Sequence, residues 1–165
     1  MRASLAVLFV GVLVLGAGIA RSQAPKGEPS TEHKAVAPND LQWGEAPPVF
    51  KKGAKMAVLY GDPSKPGELF IVRLKMPAGY RIMPHWHPTD ENITVISGSF
   101  SVGMGDKFDA MAQVLPAGGF ASMPAKMHHF ASARGEAIVE VSAIGPFKIT
   151  YVNPADDPAK QAAAK

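Results

Sequence analysis

The stretch from Gly79 to Gly98, GYRIMPHWHPTDENITVISG, constrains this chain most. It places His85, His87 and Glu91 within seven residues, between two glycines. On a strand, successive side chains alternate faces, so His85 and His87 point the same way. Two imidazoles on one face repel when both are protonated, yet both can hold a divalent cation. Pro88, Thr89 and Asp90 read as a turn. Glu91 then opens the next strand and can return a carboxylate to the same point, completing a chelate. A lone His-x-His pair is most often a surface or satisfied core feature; the added carboxylate and the flanking glycines set this one apart.

The rest of the chain supports a β architecture. Fifteen prolines and sixteen glycines interrupt 165 residues, favouring short strands and turns over long helices. Strand-like runs follow one another: Met56–Tyr60, Glu68–Lys75, Arg81–His87, Glu91–Ser97, Ser99–Met104, Gln113–Leu115, Phe120–Met123, His128–Ala133, Ala137–Ile144 and Phe147–Val152. Leu41–Trp43 is a candidate edge strand, and Gly103–Ala110 a loop or short helical turn. Short strands at this spacing indicate an all-β sandwich or barrel. The expected organisation is a signal segment over 1–24, a flexible linker over 25–40, a β-barrel domain over 41–152 and a frayed tail over 153–165.

Arg2 followed by the apolar run Leu5–Gly18 and small residues at Ala20, Ser22 and Ala24 has the form of a bacterial secretory signal. Cleavage after Ala20, Ser22 or Ala24 fits, and an uncleaved anchor is the competing reading. The expected location is therefore periplasmic or secreted, with no membrane association after cleavage. Without Arg2 and Arg21, 15 basic and 14 acidic residues remain, so the formal charge falls from +3 to +1. That balance gives no support to a nucleic-acid partner. The absence of cysteine excludes disulfides, iron–sulfur clusters and thiolate metal sites.

At Gly79, His85, His87, Glu91 and Gly98 the spacing resembles the first motif of the cupin superfamily at all five positions. The second cupin motif is matched in part, at Gly118, Pro124 and His129. Lys126 stands where a glycine is expected and Ala133 where an asparagine is. A turn that carries lysine there must avoid a positive φ or bear the strain of one. The nineteen residues between Gly98 and Gly118 resemble those of compact single-domain bacterial cupins. The resemblance covers residues 41–152 and implies a cupin-type jelly-roll β-barrel with a metal inside it.

By the same resemblance, His85, His87, Glu91 and His129 form a three-histidine, one-glutamate ligand set. His128 and His129 face opposite ways on a strand, so one of them aims at the metal. The spacing from Pro124 selects His129, and a bulge would exchange the roles. The set suits one divalent ion, Fe, Mn, Zn, Ni or Cu. Open coordination places would accept a small oxygen-rich ligand such as a diketone, enediol, α-hydroxy acid or catechol. Glu91 is also the candidate catalytic residue, a general base when released from the metal.

Strand parity places Met83 with His85 and Met127 with His129, so both methionines are expected at the pocket, as soft donors or as core filler. Trp86 should face away, Ile93 and Val95 should wall the barrel, and Asp90 should turn from the site. Arg81 is a strand end within reach of an anionic ligand at the rim. His33, in a polar segment, reads as solvated. The short loops predict an open mouth. The function expected is a divalent-metal-dependent enzyme of oxygenase, isomerase or lyase type acting on a small molecule. The alternatives are a non-catalytic periplasmic module for a metal or small ligand and a purely structural barrel. Homodimers through edge strands are expected, with Leu41–Trp43 as the pairing segment.

Overall fold

The structure is a computed structural model and describes residues 33–109 and 111–163. The proposed signal segment and the first part of the linker lie outside the described residues. Among the described residues, eleven strands form two antiparallel sheets. They are β1 (Gly44–Glu45), β2 (Lys55–Tyr60), β3 (Leu69–Met76), β4 (Arg81–Trp86), β5 (Glu91–Ser97), β6 (Ser99–Met104), β7 (Gln113–Pro116), β8 (Phe120–Met123), β9 (His129–Ala133), β10 (Ala137–Ile144) and β11 (Thr150–Tyr151). One sheet has the order β1-β2-β3-β10-β5-β8 and the other β11-β4-β9-β6-β7.

Period-two alternation builds the first sheet's inner face. Along β3, Phe70, Val72, Leu74 and Met76 are buried while their neighbours are not. β10 repeats the pattern with Val139, Val141 and Ala143, and β5 with Ile93 and Val95. The register aligns these faces: Val141 pairs with Val72 on one side and Ile93 on the other. The second sheet supplies Phe100, Val102 and Ala131 to the same cluster. Burying one such aliphatic or aromatic side chain contributes about 1.5–3 kcal/mol.

Gly98 joins β5 to β6 at φ +76°, and a Cβ there would lie 2.2 Å from the Glu136 carbonyl oxygen. No other residue type fits that turn without backbone movement. Lys126, in contrast, takes φ +63° despite its side chain, so the turn bears the strain. Its N–H donates to the His87 carbonyl at 2.8 Å, which ties the turn to the segment after β4.

Three sequence expectations change. The first edge strand is Gly44–Glu45, paired with Met56 and Lys55, rather than Leu41–Trp43. Of Phe147–Val152, only Thr150–Tyr151 is strand; the segment before it crosses the end of the barrel without a sheet partner. The tail carries local structure: a 3-10 turn at Pro154–Asp156, capped by the Asn153 side chain, and α1 (Pro158–Ala163). In the linker region a 3-10 turn occupies Pro38–Asp40.

Candidate metal centre

The first cupin-like motif lies on β4, the turn after it and the start of β5. A register shift between Ile82 and His85 marks an irregularity in β4 where it pairs with β9. Ile82 and His85, three residues apart, therefore both line the barrel interior. His87 follows the end of β4, and Glu91 is the first residue of β5. His129 opens β9 and sits directly across from His85 in the ladder. The four side chains, drawn from 45 residues of chain, meet inside the barrel, and all four are buried. The imidazoles approach closely, with ring centroids 4.2 Å apart for His85 and His129, 5.0 Å for His85 and His87, and 5.3 Å for His87 and His129.

Main-chain carbonyls fix the rings. His85 Nδ1 donates to the Met83 carbonyl at 2.7 Å, and His129 Nδ1 to the Met127 carbonyl at 2.9 Å. His87 Nδ1 donates to the Lys148 carbonyl at 3.0 Å. A carbonyl oxygen can only accept, so each Nδ1 carries the proton and each neutral ring keeps its lone pair on Nε2. The three histidines each offer a ligand atom, and these atoms lie within 4.8 Å of one another. Glu91 Oε2 lies 3.5 Å from His87 Nε2 and 3.3 Å from His129 Nε2.

Burial, together with the neighbouring imidazoles, pushes the His85 pKa down to about 3. Burial also lowers that of His87. Both rings are thus neutral at pH 7. Burial raises the Glu91 pKa, but His129, His87 and His85 outweigh it and hold the carboxyl below its ordinary value. The neutral rings of His85 and His87 thus share the interior with the Glu91 carboxyl.

That combination tests the fit of a metal. His87 Nε2, His129 Nε2 and Glu91 Oε2 are buried with no hydrogen-bond partner. Lone pairs converging on a carboxylate in an apolar interior cost free energy unless a cation lies among them. Nδ1 held by a carbonyl with Nε2 free is also the orientation that metal-binding histidines adopt. The residues fit a divalent ion.

The side-chain environment corrects parts of the sequence reading. The irregularity in β4 breaks the parity that would have brought Met83 inward. Met83 packs against the core without lining the cavity, and Met127 is exposed. Both residues serve the site through their carbonyls instead. His128 turns outward and its Nδ1 meets Asp106 Oδ1 at 2.6 Å. Asp90 is exposed and accepts from the Ala125 N–H. Arg81 is exposed and lies over the Phe108 ring, 4.9 Å from its centroid, away from the interior. His33 is exposed.

The interior is narrow, and all but one of its lining residues are buried. The space among the ligands is about 20 Å³, walled by Leu74, Ile93, Phe100, Val139 and Val141 on the strands. That is room for about one water. Phe50, Phe147 and Ile149 close one end from segments outside the strands. Phe147 stacks on His87, ring centroids 5.0 Å apart at 12°. Sequence reasoning missed Phe147 and the carbonyl of Lys148. An aromatic residue five positions before the end of the barrel domain carries no motif, and a carbonyl carries no sequence signal.

Residues 19–150 match the family described as a domain of unknown function, DUF4437. The chain belongs to that family. No curated protein sequence matches this DUF4437 chain. Solved structures similar to it include cupins. An RmlC-like cupin from Shewanella frigidimarina NCIMB 400 is 21% identical, with TM-score 0.54 over 69% of this chain and 91% of its own. An acetylacetone dioxygenase from Acinetobacter johnsonii is 15% identical, with TM-score 0.61 over 86% and 95%. The polyketide cyclase RemF from Streptomyces resistomycificus is 16% identical, with TM-score 0.61 over 80% and 94%. At these identities the likeness is one of fold, and the fold of this DUF4437 domain is the cupin jelly roll.

Proposed function

We propose that His85, His87, His129 and Glu91 hold one divalent metal ion and that the protein is an exported, metal-dependent enzyme acting on a small oxygen-rich molecule. One observation carries this reading. Three buried ligand atoms, His87 Nε2, His129 Nε2 and Glu91 Oε2, face one another with no hydrogen-bond partner. A divalent ion there would supply Lewis-acid polarisation of a bound oxygen ligand. The chain's own residues would do the rest. The histidines are held at Nδ1 by carbonyls, which orients each Nε2 toward the shared interior. Glu91 is the site's carboxylate and would accept the proton from a substrate C–H or water. The apolar wall of Leu74, Ile93, Phe100, Val139 and Val141 keeps bulk water away and strengthens each polar contact.

Structural neighbours named acetylacetone dioxygenase and polyketide cyclase give the substrate class support from chemistry on the same fold. Export rests on the apolar run Leu5–Gly18 behind Arg2. Homodimerisation through sheet edges extends the proposal, with β1 rather than Leu41–Trp43 as the edge. A second reading, a non-catalytic metal-holding module, is favoured by one feature: the interior space of about 20 Å³ leaves little room beside an ion.

The test is elemental analysis of protein purified without chelator or nickel resin, beside His85→Ala and His129→Ala. Near-stoichiometric Fe, Mn, Zn, Ni or Cu, lost in both variants, supports the site. Iron or manganese directs the search to oxygen and enediol chemistry; zinc, nickel or copper directs it to Lewis-acid chemistry or metal holding. A metal-free native protein that also takes up no added divalent ion would overturn the proposal.

A further inference from the structure

Among the residues that line the interior space, all but one are buried; the exception is Phe147. It stands between the ligand set and solvent. The segment that carries it, 145–149, is tied down on both sides. On one side, the Gly145 N–H donates to the Glu68 carbonyl at 2.8 Å and the Phe147 N–H to the Pro63 carbonyl at 2.7 Å. On the other, Thr150 and Tyr151 pair with Trp86 and His85 in β4. Between these anchors the segment touches His87 twice. The Phe147 ring stacks on His87, and the Lys148 carbonyl accepts from His87 Nδ1.

The strand walls offer no comparable way in. Leu74, Ile93, Phe100, Val139 and Val141 belong to paired strands, and moving them would break ladder hydrogen bonds. Phe147 can rotate off His87 without breaking a backbone bond, because its ring is held by packing with Phe50 at 6.5 Å and Phe70 at 5.2 Å. A diketone or catechol needs far more than the space of about one water.

We infer that Phe147 is the specificity-determining residue of this site, setting the size of ligand that reaches the metal by closing the barrel over His87. This rests on the metal-binding reading proposed above and names what controls access to it. Ligands no larger than a few atoms enter the closed barrel. Planar bidentate oxygen ligands enter only when the Phe147 ring swings away.

The experiment uses the Co(II)-loaded protein and its visible absorption, with azide as the small probe and acetylacetone as the bidentate one. Phe147→Ala is expected to bind acetylacetone at least about tenfold more tightly than wild type, with azide changed by no more than about threefold. Leu74→Val, which enlarges the cavity from a strand wall, should leave acetylacetone binding near wild type. Equal acetylacetone affinity in wild type and Phe147→Ala, both holding cobalt, overturns the inference. So does an equal gain for azide, or an equal gain in Leu74→Val. If Phe147→Ala does not fold, Phe147→Leu and Phe147→Trp carry the test. The expected order of affinity is Leu, Phe, Trp, and a flat series refutes it. A wild-type protein that binds no cobalt sinks the metal reading itself, which separates that failure from the failure of the gate.

Discussion

His85 and His129 are held differently from His87, and the difference separates local from tertiary design. Each of the first two donates from Nδ1 to a carbonyl two residues back in its own chain segment, Met83 or Met127. They also face each other across one β-ladder. Wherever β4 and β9 form, these rings are placed. His87 instead relies on Lys148, 61 residues away, on a segment with no sheet partner. Its orientation depends on closure of the barrel end. The site thus joins a rigid pair to a ring positioned by the element that also shuts out solvent.

Removing a ligand should produce the largest effect. His129→Ala deletes one of about four donors and is expected to weaken Co(II) or Zn(II) binding about a thousandfold, given the binding free energies of four-ligand sites. Competition against a chromophoric chelator measures it. The comparison sharpens if Phe147→Leu, which leaves every ligand in place, weakens binding by no more than about tenfold, as loss of an orienting contact does. Equal losses would mean that the strap formed by residues 145–149, not the ladder, holds the whole set.

Stability should divide the wall from the strap in the same way. Leu74 is 3% exposed on a paired strand, and Leu74→Ala is expected to cost about 2–5 kcal/mol. Phe147 is partly exposed, so Phe147→Leu should cost about 1 kcal/mol. Urea unfolding of chelated protein compares the two.

The pH dependence of the chelated protein follows from His85. Its pKa in the fold is about 3 against the ordinary 6.5. Between those values the unfolded chain binds a proton that the folded one does not, so stability rises with pH in that window. It is lost as pH falls below about 6.5, by about 1.4 kcal/mol per unit for one proton. His85→Gln should flatten this slope in thermal melts from pH 6 to pH 5, and an unchanged slope would assign it to other groups.

These contrasts show what the residues announce and what they conceal. Alternation on β3, β5 and β10 is written in Phe70, Val72, Leu74, Ile93, Val95, Val139 and Val141, because a half-buried strand must repeat every second residue. Gly98 and the convergence of His85, His87, Glu91 and His129 were legible for a similar reason: close approach and chelation each demand particular residue types. Met83 was misplaced because an irregularity in β4, marked in the sequence only by Pro84 with its missing N–H, shifts parity; Met127 was misplaced because β9 begins at His129 and leaves it in the turn before the strand. The strap was read as a strand because Phe147–Val152 is rich in β-formers; sheet pairing is a property of neighbours, and only Thr150–Tyr151 finds one. The narrow interior was missed because it depends on where Phe147 lies in three dimensions, not on loop length.

Lys126 gives the smallest effect and a test of how the second motif tolerates its departure. The residue sits at φ +63°, in the left-handed region where a side chain is strained. Its N–H donates to the His87 carbonyl, so the strained turn also steadies the segment between two ligands. Lys126→Gly keeps that N–H and removes the Cβ strain, although glycine adds freedom to the unfolded chain. The balance is expected to be a gain of about 0.5–1 kcal/mol in urea unfolding, with metal affinity unchanged. Lys126→Val, β-branched at the same φ, should move stability the other way by more than the gain. If both variants left stability where it was, the turn would be relaxing its backbone at no cost. The hydrogen bond to His87 would then have to weaken, and metal affinity, measured on the same variants, would register it.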